Sequence, residues 1–232
     1  MRLDKFLSAC GCGTRKEVKG LVKSGVVAVD GIPEKDPGKS VDASSAVTVN
    51  GKKLIYREFV YLMMNKPQGY ISATEDRQYP VVTELLDEEY ARFEPAPAGR
   101  LDLDTEGLLI LTNDGSFNHD LTSPKKNVYK KYFAVLDKPA DERDIEAFRA
   151  GMAFKDFTAK SALLELCPEQ NHVYISIAEG KFHQVKRMCE RVGKQVLFLK
   201  RVAIGALRLD ESLAPGEYRE LTEEELALLW QK

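Results

Sequence analysis

The sequence predicts an α+β fold in which a small helical N-terminal module precedes a larger body of strands and helices. Two helix patterns and two hairpin turns fill the first 54 residues, which is too short a segment to be the whole protein. A new apolar strand, FVYLMMNKP, begins at Phe59, and strand and helix patterns then mix without a repeat of fixed period. We therefore predict two domains, residues 1–58 and residues 59–232.

Apolar spacing and end signals predict two helices at the N-terminus. Residues 3–10 carry apolar side chains at helical spacing, and Gly11 ends that pattern. Thr14 and Glu17 have the spacing of a capping box, which opens a second helix that Gly25 ends.

Turn residues and apolar runs predict the remaining elements. Asp30-Gly31 interrupts VVAVDGI and Asn50-Gly51 interrupts VTVNGKKL, and both dipeptides favour the tight turns of β-hairpins. Further strands are predicted at residues 59–64, 108–112, 129–136, 159–166 and 173–178. Helices are predicted at residues 141–150 and 184–192, and in the C-terminal piece, where Thr222 and Glu225 form another capping box.

Composition narrows the class of protein. Apolar residues make up 44% of the 232 residues and charged residues 30%, as in ordinary soluble proteins. The chain lacks a run of about 18 apolar residues and the apolar core of a secretory signal, so we expect a cytoplasmic protein without a membrane span. Cys10 and Cys12 form a lone C-x-C without a second pair of ligands near it, which favours reduced thiols over a metal site. A monomer is the simplest expectation.

The net charge of −2 conceals an uneven distribution. Residues 1–54 carry 10 Lys and Arg against 6 Asp and Glu, and residues 181–208 carry 8 against 1. The last 24 residues carry 2 against 7. Two basic segments on an acidic body are typical of a protein that binds phosphates locally. Solvated helix faces would give the same pattern, so charge alone leaves both interpretations open.

The segment AGRLDLDTEGLLILTNDG, residues 98–115, presents two carboxylates just before an apolar strand. Gly99 and Gly107 predict sharp turns on either side of Asp102 and Asp104. A carboxylate held by a tight loop beside a buried strand is well placed to act as a nucleophile or base. The alternatives are a loop aspartate that caps a turn and a glycosidase-like pair of carboxylates.

Two further segments carry basic and aromatic side chains. In EGKFHQVKRMCERVG, residues 179–193, a polar loop leads into a helix where Lys186 and Arg187 are about 100° apart. One of them could reach a carboxylate while the other meets RNA. In YKKYFAVL, Lys130 and Tyr132 share one side of a predicted strand, which suits stacking on an unpaired base. A basic surface helix and a core tyrosine are the structural alternatives.

Together, these segments resemble the RsuA family of pseudouridine synthases, the ribosomal small-subunit type, over essentially the whole chain. RLDKFLSACGCGTRKEVKGLVKSGVVAVDG resembles an S4 RNA-binding domain, NKPQGYISAT the family's first motif, and GRLDLDTEGLLILTNDG its catalytic motif. Lys130-x-Tyr132 and EGKFHQVKRM match two later motifs. The ending IGALRLDESLAPGEYRELTEEEL resembles the family's usual C-terminal segment.

The resemblance implies an isomerase that converts one uridine of 16S ribosomal RNA to pseudouridine without a cofactor or a metal. It implies an S4-like α/β RNA-binding module followed by a mixed, mainly antiparallel β-sheet catalytic domain with flanking helices. The catalytic carboxylate falls on Asp102, Tyr132 packs against the flipped base, and Lys186 pairs with the carboxylate where several related families have arginine. The other expected substrate-binding residues are Arg100, Leu101, His183 and Gln184. The expected RNA-binding residues are Arg2, Lys5, Arg15, Lys16, Lys19, Lys130 and Arg187.

Three other functions stay open from sequence. They are a large-subunit (23S) rRNA pseudouridine synthase, a non-catalytic RNA-binding ribosome-assembly factor, and a glycoside hydrolase. An intact Asp102, Tyr132 and Lys186 argue against a pure binding protein, and two carboxylates on one loop rarely flank a sugar. The sequence also leaves open whether Asp102 adds to C1′ of the ribose or removes a proton from C2′.

Overall fold

The computed structural model describes residues 1–42, 44–54 and 56–231, which form two compact units. The first unit comprises Met1–Val60 and Asp87–Phe93, and the second comprises Tyr61–Leu86 and Glu94–Lys232. None of the helices in the described ranges is long and apolar enough to cross a membrane. The functional boundary between residues 58 and 59 stays a prediction.

Local signals account for the elements of the first unit. Its elements are α1 (Leu3–Ala9), α2 (Arg15–Lys23), β1 (Val27–Val29), β2 (Ile32–Pro33), β3 (Val47–Val49), β4 (Lys52–Lys53) and α3 (Glu88–Ala91). The predicted capping box is present, because Thr14 accepts from the backbone N–H of Glu17 and the Glu17 side chain accepts from Thr14. The strands form an antiparallel sheet in the order β2-β1-β3-β4.

Both predicted hairpin turns of the first unit are confirmed. The φ angles are 53° at Asp30 and 81° at Gly31, and 50° at Asn50 and 78° at Gly51, as a type I′ turn requires. The helices pack one apolar face on this sheet and leave their charged face in water, because Val18 and Val22 of α2 are fully buried while the lysines of α2 are exposed.

The second unit is built on a large mixed sheet. Its elements are β5 (Tyr61–Lys66), a 3₁₀ turn (Val82–Leu85), β6 (Ala96–Ala98), β7 (Glu106–Thr112), α4 (Gly115–Thr122), β8 (Lys130–Leu136), α5 (Glu142–Ala150), β9 (Met152–Ala153), β10 (Thr158–Ala159), β11 (Leu163–Leu166), β12 (His172–Ile177), α6 (Gln184–Arg191), β13 (Val196–Ile204), β14 (Leu207–Arg208), β15 (Tyr218–Glu220) and α7 (Glu223–Leu228). The sheet runs β11-β12-β8-β13-β7-β5-β15, with β6 on β7 and β14 on β13.

Pairing in this sheet is mainly antiparallel, as expected, and β7 with β13 is the parallel pair among the described strands. The centre is covered on both faces, since residues 62–66 of β5 and 107–112 of β7 are all buried. Long apolar runs such as LLIL are typical of strands buried on two faces. This rigid centre carries the loop that contains Asp102.

The strand predicted at residues 159–166 is wrong as a single element. Thr158–Ala159 pairs with β9, whereas Leu163–Leu166 pairs with β12 in the large sheet. Strand pairing stops between these two segments. The Lys160 N–H donates to the Glu179 carboxylate and the Ala162 N–H donates to the Phe148 carbonyl, so neither pairs with a neighbouring strand. Strand β13 and helix α4 were not predicted, and α4 begins where the Asp114 side chain caps two N–H groups.

Candidate active site

A cavity of about 280 Å³ lies in the second unit. Its walls are residues 98–102 with Thr105, the face of β8 and β13, and the loop 179–183 with the start of α6. The cavity brings together eight predicted site residues, namely Arg100, Leu101, Asp102, Lys130, Tyr132, His183, Gln184 and Lys186. Segments far apart in sequence therefore meet where the motifs predict a single site.

Lys66 holds the loop that carries Asp102. This lysine is fully buried at the end of β5, and its Nζ donates to the carbonyl oxygens of Pro67 at 2.9 Å, Asp102 at 3.0 Å and Thr105 at 2.9 Å. Burial lowers the pKa of Lys66 to about 8, although the negative charges of Asp102 and Asp104 oppose that shift. Sequence reasoning missed this role, and the available signal was a lysine at the end of a continuous apolar strand.

Lys186 faces two carboxylates rather than one. Its Nζ lies 3.2 Å from Oδ2 of Asp102 and 2.5 Å from Oδ1 of Asp104. Burial disfavours the Lys186 ammonium, but the bond to Asp104 and the charge of Asp102 outweigh burial and raise its pKa. Desolvation raises the pKa of Asp104, but the hydrogen bond to Lys186 and the charge of Lys186 outweigh desolvation and lower it. The expected pairing of Lys186 with Asp102 is present, and Asp104 shares it.

The two carboxylates differ in their surroundings. Asp102 lines the cavity, and its side chain is 30% exposed, whereas the Asp104 side chain is 68% exposed. Nε2 of His183 lies 3.6 Å from Oδ1 of Asp102. His183 has a left-handed backbone, with φ at 51°, and its ring stacks on Phe182 with centroids 3.8 Å apart. Asp102 is therefore the carboxylate that a molecule in the cavity would meet.

Gln184, predicted to bind substrate, lines the cavity and also holds its own loop together. Its Nε2 donates to Glu179 at 3.1 Å, and its Oε1 accepts from the N–H of Lys181 at 3.0 Å. The side chain is buried at the start of α6. Its amide contributes to the shape of the cavity wall through these bonds.

The sheet face supplies the cavity floor. Tyr132 on β8 is 7% exposed and pairs directly with Arg201 on β13, so their side chains share one face. Arg201 is 3% exposed, and its Nε donates to the carbonyl of Leu108 at 2.7 Å. The absence of a side chain at Gly107 lets the backbone of Arg201 pack closely against it, because a Cβ at Gly107 would lie 2.2 Å from the carbonyl oxygen of Arg201. Sequence reasoning did not predict Arg201.

The cations predicted to bind RNA have mixed surroundings. Arg187 makes two hydrogen bonds to Asp156, at 2.9 and 2.6 Å, and lies over the rings of Phe154 and Phe157. Lys186 and Arg187 thus point to different partners, as their spacing predicts. In the first unit, Arg2 makes a two-pronged contact with Asp4 at 3.0 Å. The remaining predicted cations of that unit, Lys5, Arg15, Lys16 and Lys19, are exposed.

The cysteines carry thiols, as predicted, and burial raises the pKa of Cys189 to about 12. Within the described ranges, no group of three or more His, Cys, Asp and Glu side chains is arranged to hold a metal ion.

Comparison with known proteins agrees with this geometry. Residues 60–191 match the RNA pseudouridylate synthase family, and residues 1–47 match the S4 domain. The chain belongs to the RNA pseudouridine synthase family. It is 52% identical to an uncharacterized RNA pseudouridine synthase, YtzG, of Bacillus subtilis (strain 168), over 99% of this chain and 98% of the relative. Relatives named ribosomal small subunit pseudouridine synthase A also match, which confirms the recognition of an RsuA-type pseudouridine synthase.

Other members of the family support the same assignment over the full length. The ribosomal small subunit pseudouridine synthase A of Salmonella typhimurium (strain LT2) is 41% identical over 98% of this chain and 99% of its own. A crystal structure of a pseudouridylate synthase aligns with a TM-score of 0.70 at 35% identity, covering 99% of both chains. As a pseudouridine synthase, the protein is an isomerase with an N-terminal S4 domain and a mixed-sheet synthase domain.

Proposed function

We propose that this pseudouridine synthase modifies a specific uridine of 16S ribosomal RNA, with Asp102 as its catalytic carboxylate. Relatives named ribosomal small subunit pseudouridine synthase A support the choice of RNA. The position of Asp102 carries the choice of residue, because it lies in the cavity with Tyr132 while Lys186 and His183 face it. A large-subunit RNA is the alternative substrate.

The reaction requires a carboxylate and a place for a detached base. The N1–C1′ bond breaks, the uracil rotates, and C5 bonds to C1′. Asp102 serves either by adding to C1′ or by removing the proton from C2′, and both routes need its oxygen in the same place. Lys186 supplies a balancing positive charge, and Lys66 fixes the backbone of the loop. Neither residue needs a cofactor to do this.

Access to the target uridine requires base flipping, which costs a few kcal/mol of lost stacking. The ring of Tyr132, which lines the cavity, offers a new stacking partner and offsets part of that cost. We propose that residues 1–58 bind RNA phosphates through Arg2, Lys5, Arg15, Lys16 and Lys19, and that residues 59–232 carry catalysis. A ribosomal RNA substrate implies that the enzyme acts in the cytoplasm. A monomer is sufficient for the site, since all residues that line the cavity belong to the second unit.

Primer extension after carbodiimide treatment of small- and large-subunit rRNA tests both parts of the proposal. Wild-type protein is expected to create one new stop in 16S rRNA. Asp102→Asn is expected to lose the stop, with the rate reduced on the order of 10⁴-fold or more, because the reacting carboxylate is gone. Asp104→Asn is the matched control, since it also removes a carboxylate partner of Lys186, and it should retain the stop.

Each other outcome has a distinct meaning. A stop in 23S rRNA alone would keep the chemistry and overturn the substrate. A stop that survives in Asp102→Asn but disappears in Asp104→Asn would transfer the catalytic role to Asp104. No stop in either RNA, with assembly intermediates also tried, would contradict the proposed function.

A further inference from the structure

Arg201 is a buried cation whose hydrogen-bonding capacity is largely unused. Its side chain is 3% exposed, and within the described ranges its guanidinium makes one hydrogen bond, from Nε to the carbonyl of Leu108. Nη2 is buried without a hydrogen-bond partner, and no ion pair to Arg201 is present in the described part of the chain. Buried guanidinium groups are normally paired and fully hydrogen-bonded, because desolvation of an unpaired charge is strongly unfavourable.

The acidic side chains that line the cavity have partners, whereas two of its cations have no acidic partner among the described residues. Asp102 is matched by Lys186, and Glu179, the other acid in the lining, accepts from the N–H of Lys160 and from Gln184. Lys130 and Arg201 have no such acidic partner among the described residues. Burial lowers the pKa of Lys130 to about 8, and the nearby charge of Arg201 adds to that shift. The floor of the cavity is therefore positively charged when nothing is bound.

Register places this charge beside the ring that is proposed to stack on the base. Tyr132 is directly opposite Arg201 in the β8–β13 ladder, and Lys130 lies two residues before Tyr132 on the same face. Thr105 also lines the cavity and has a buried hydroxyl without a partner in the described ranges. A planar ligand on Tyr132 that carries oxygen acceptors on its edge would meet donors that the protein leaves unused.

We infer that Arg201 binds a carbonyl oxygen of the flipped uracil and stabilises the negative charge that the base acquires as it leaves the ribose. The inference rests on the proposed function. When N1–C1′ breaks, both bonding electrons leave with the uracil and are shared with O2 and O4. C5 then uses an electron pair to bond C1′, the C5 proton is lost, and N1 takes up a proton. Fixed donors aimed at such a charge in a water-poor cavity lower the barrier without reorganisation.

The test compares two leaving groups in the same variant. Single-turnover rates are measured on a short rRNA fragment that contains the modified site, carrying either uridine or 5-fluorouridine there. The fluorine stabilises the anion of the departing base, so the 5-fluoro substrate needs less help from the protein. Conversion is followed as loss of the target nucleoside, because 5-fluorouridine has fluorine in place of the C5 proton and cannot complete the last step to pseudouridine. The proteins are wild type, Arg201→Met, Arg201→Lys and Lys200→Met. Lys200 is the matched control, because it adjoins Arg201 on β13 and its side chain is outside the cavity lining.

Arg201→Met is expected to slow conversion of uridine on the order of 100-fold while leaving the enzyme concentration for half the maximal single-turnover rate nearly unchanged. Its defect should be several-fold smaller with 5-fluorouridine, and Arg201→Lys should recover part of the rate. Lys200→Met should match wild type with both substrates. Because the ratio of the two rates does not depend on the fraction of folded enzyme, a loss of stability does not alter the conclusion.

Three results would overturn the inference. Equal defects with both substrates would make Arg201 a structural residue. An effect confined to the half-saturating enzyme concentration and its salt dependence would mean that Arg201 binds a phosphate instead of the base. Unchanged rates in Arg201→Met would leave it without a role in the reaction. If wild-type protein forms no pseudouridine in either rRNA, the proposed function fails first, and this inference fails with it.

Discussion

The two units of this protein use their cations in opposite ways. In the first unit Lys5, Lys16 and Lys19 are exposed on helix faces, whereas in the second Lys66 and Arg201 are buried next to the cavity. An exposed ammonium keeps its water, so each one contributes little and many can act together on a phosphate backbone. A buried cation has lost its water and needs hydrogen-bond acceptors at fixed positions in the protein. We therefore expect the same residue types to attract RNA phosphates broadly in one unit and to position individual atoms in the other.

Among the cation substitutions in the two units, Lys66→Met should have the largest effect on the free energy of unfolding. Three carbonyl oxygens lose a charge-assisted donor, and the loop that carries Asp102 loses its anchor. We expect the free energy of unfolding of the second unit to fall by about 3 kcal/mol, since relief of ammonium desolvation offsets part of the lost bonding. Urea unfolding followed by the fluorescence of Trp230, the one tryptophan of the sequence, measures this change.

Lys125→Met is the matched control for that experiment, because Lys125 is exposed in the same unit. Its unfolding midpoint should coincide with that of wild type. An unchanged midpoint in Lys66→Met as well would mean that the three carbonyl contacts do not anchor the loop.

Features that depend on neighbours in sequence were predictable. The capping box at Thr14 and the turns at Asp30-Gly31 and Asn50-Gly51 each act within four residues, so the pattern alone determines them. Asp102 and Lys186 were predicted because the motifs that carry them resemble a known family. Their closeness in space, 3.2 Å between Nζ and Oδ2, agrees with that expectation.

Features that depend on distant segments were missed. Strand β13 carries Lys200 and Arg201 in its middle, which in sequence is typical of an exposed segment, and its parallel partner β7 lies far away in the chain. Burial of Arg201 follows from packing against Gly107 and Leu108, which no local pattern contains. The roles of Lys66 and of Gln184 likewise depend on acceptors that only the folded loops bring into reach.

The pH dependence of stability should distinguish buried from exposed lysines. Burial lowers the pKa of both Lys66 and Lys130 from 10.5 to about 8. Between these values the unfolded chain holds protons that the folded protein has released, so the free energy of unfolding rises with pH. Each of these two lysines contributes a slope that approaches about 1.4 kcal/mol per pH unit above pH 8. Below pH 8 both states are protonated and this contribution to the slope disappears.

Urea unfolding at pH 7.5 and pH 8.5 measures this slope, because burial raises the pKa of all four cysteine thiols, and they oppose the slope increasingly as the pH approaches the ordinary thiol pKa of 9.0. Lys130→Met should lower the slope by the contribution of one of the two lysines, which is a large part of the net slope because the thiols oppose it. Lys16→Met should leave it unchanged, because Lys16 is exposed. An equal slope in Lys130→Met and wild type would contradict the lowered pKa of Lys130.

The smallest expected effect belongs to the exposed cations. Replacing Lys16 and Lys19 together by Gln should weaken RNA binding uniformly, and the slope of log K against log salt should fall by about 0.7–0.9 for each lost phosphate contact. Lys52 and Lys53, exposed on the β3–β4 hairpin of the same unit, give a control with the same loss of charge and should keep the wild-type slope. Filter binding of an rRNA fragment at several salt concentrations measures both double variants. Equal losses in the two would mean that the first unit attracts RNA through its total charge, whereas a loss confined to Lys16 and Lys19 would place the phosphate contacts on α2.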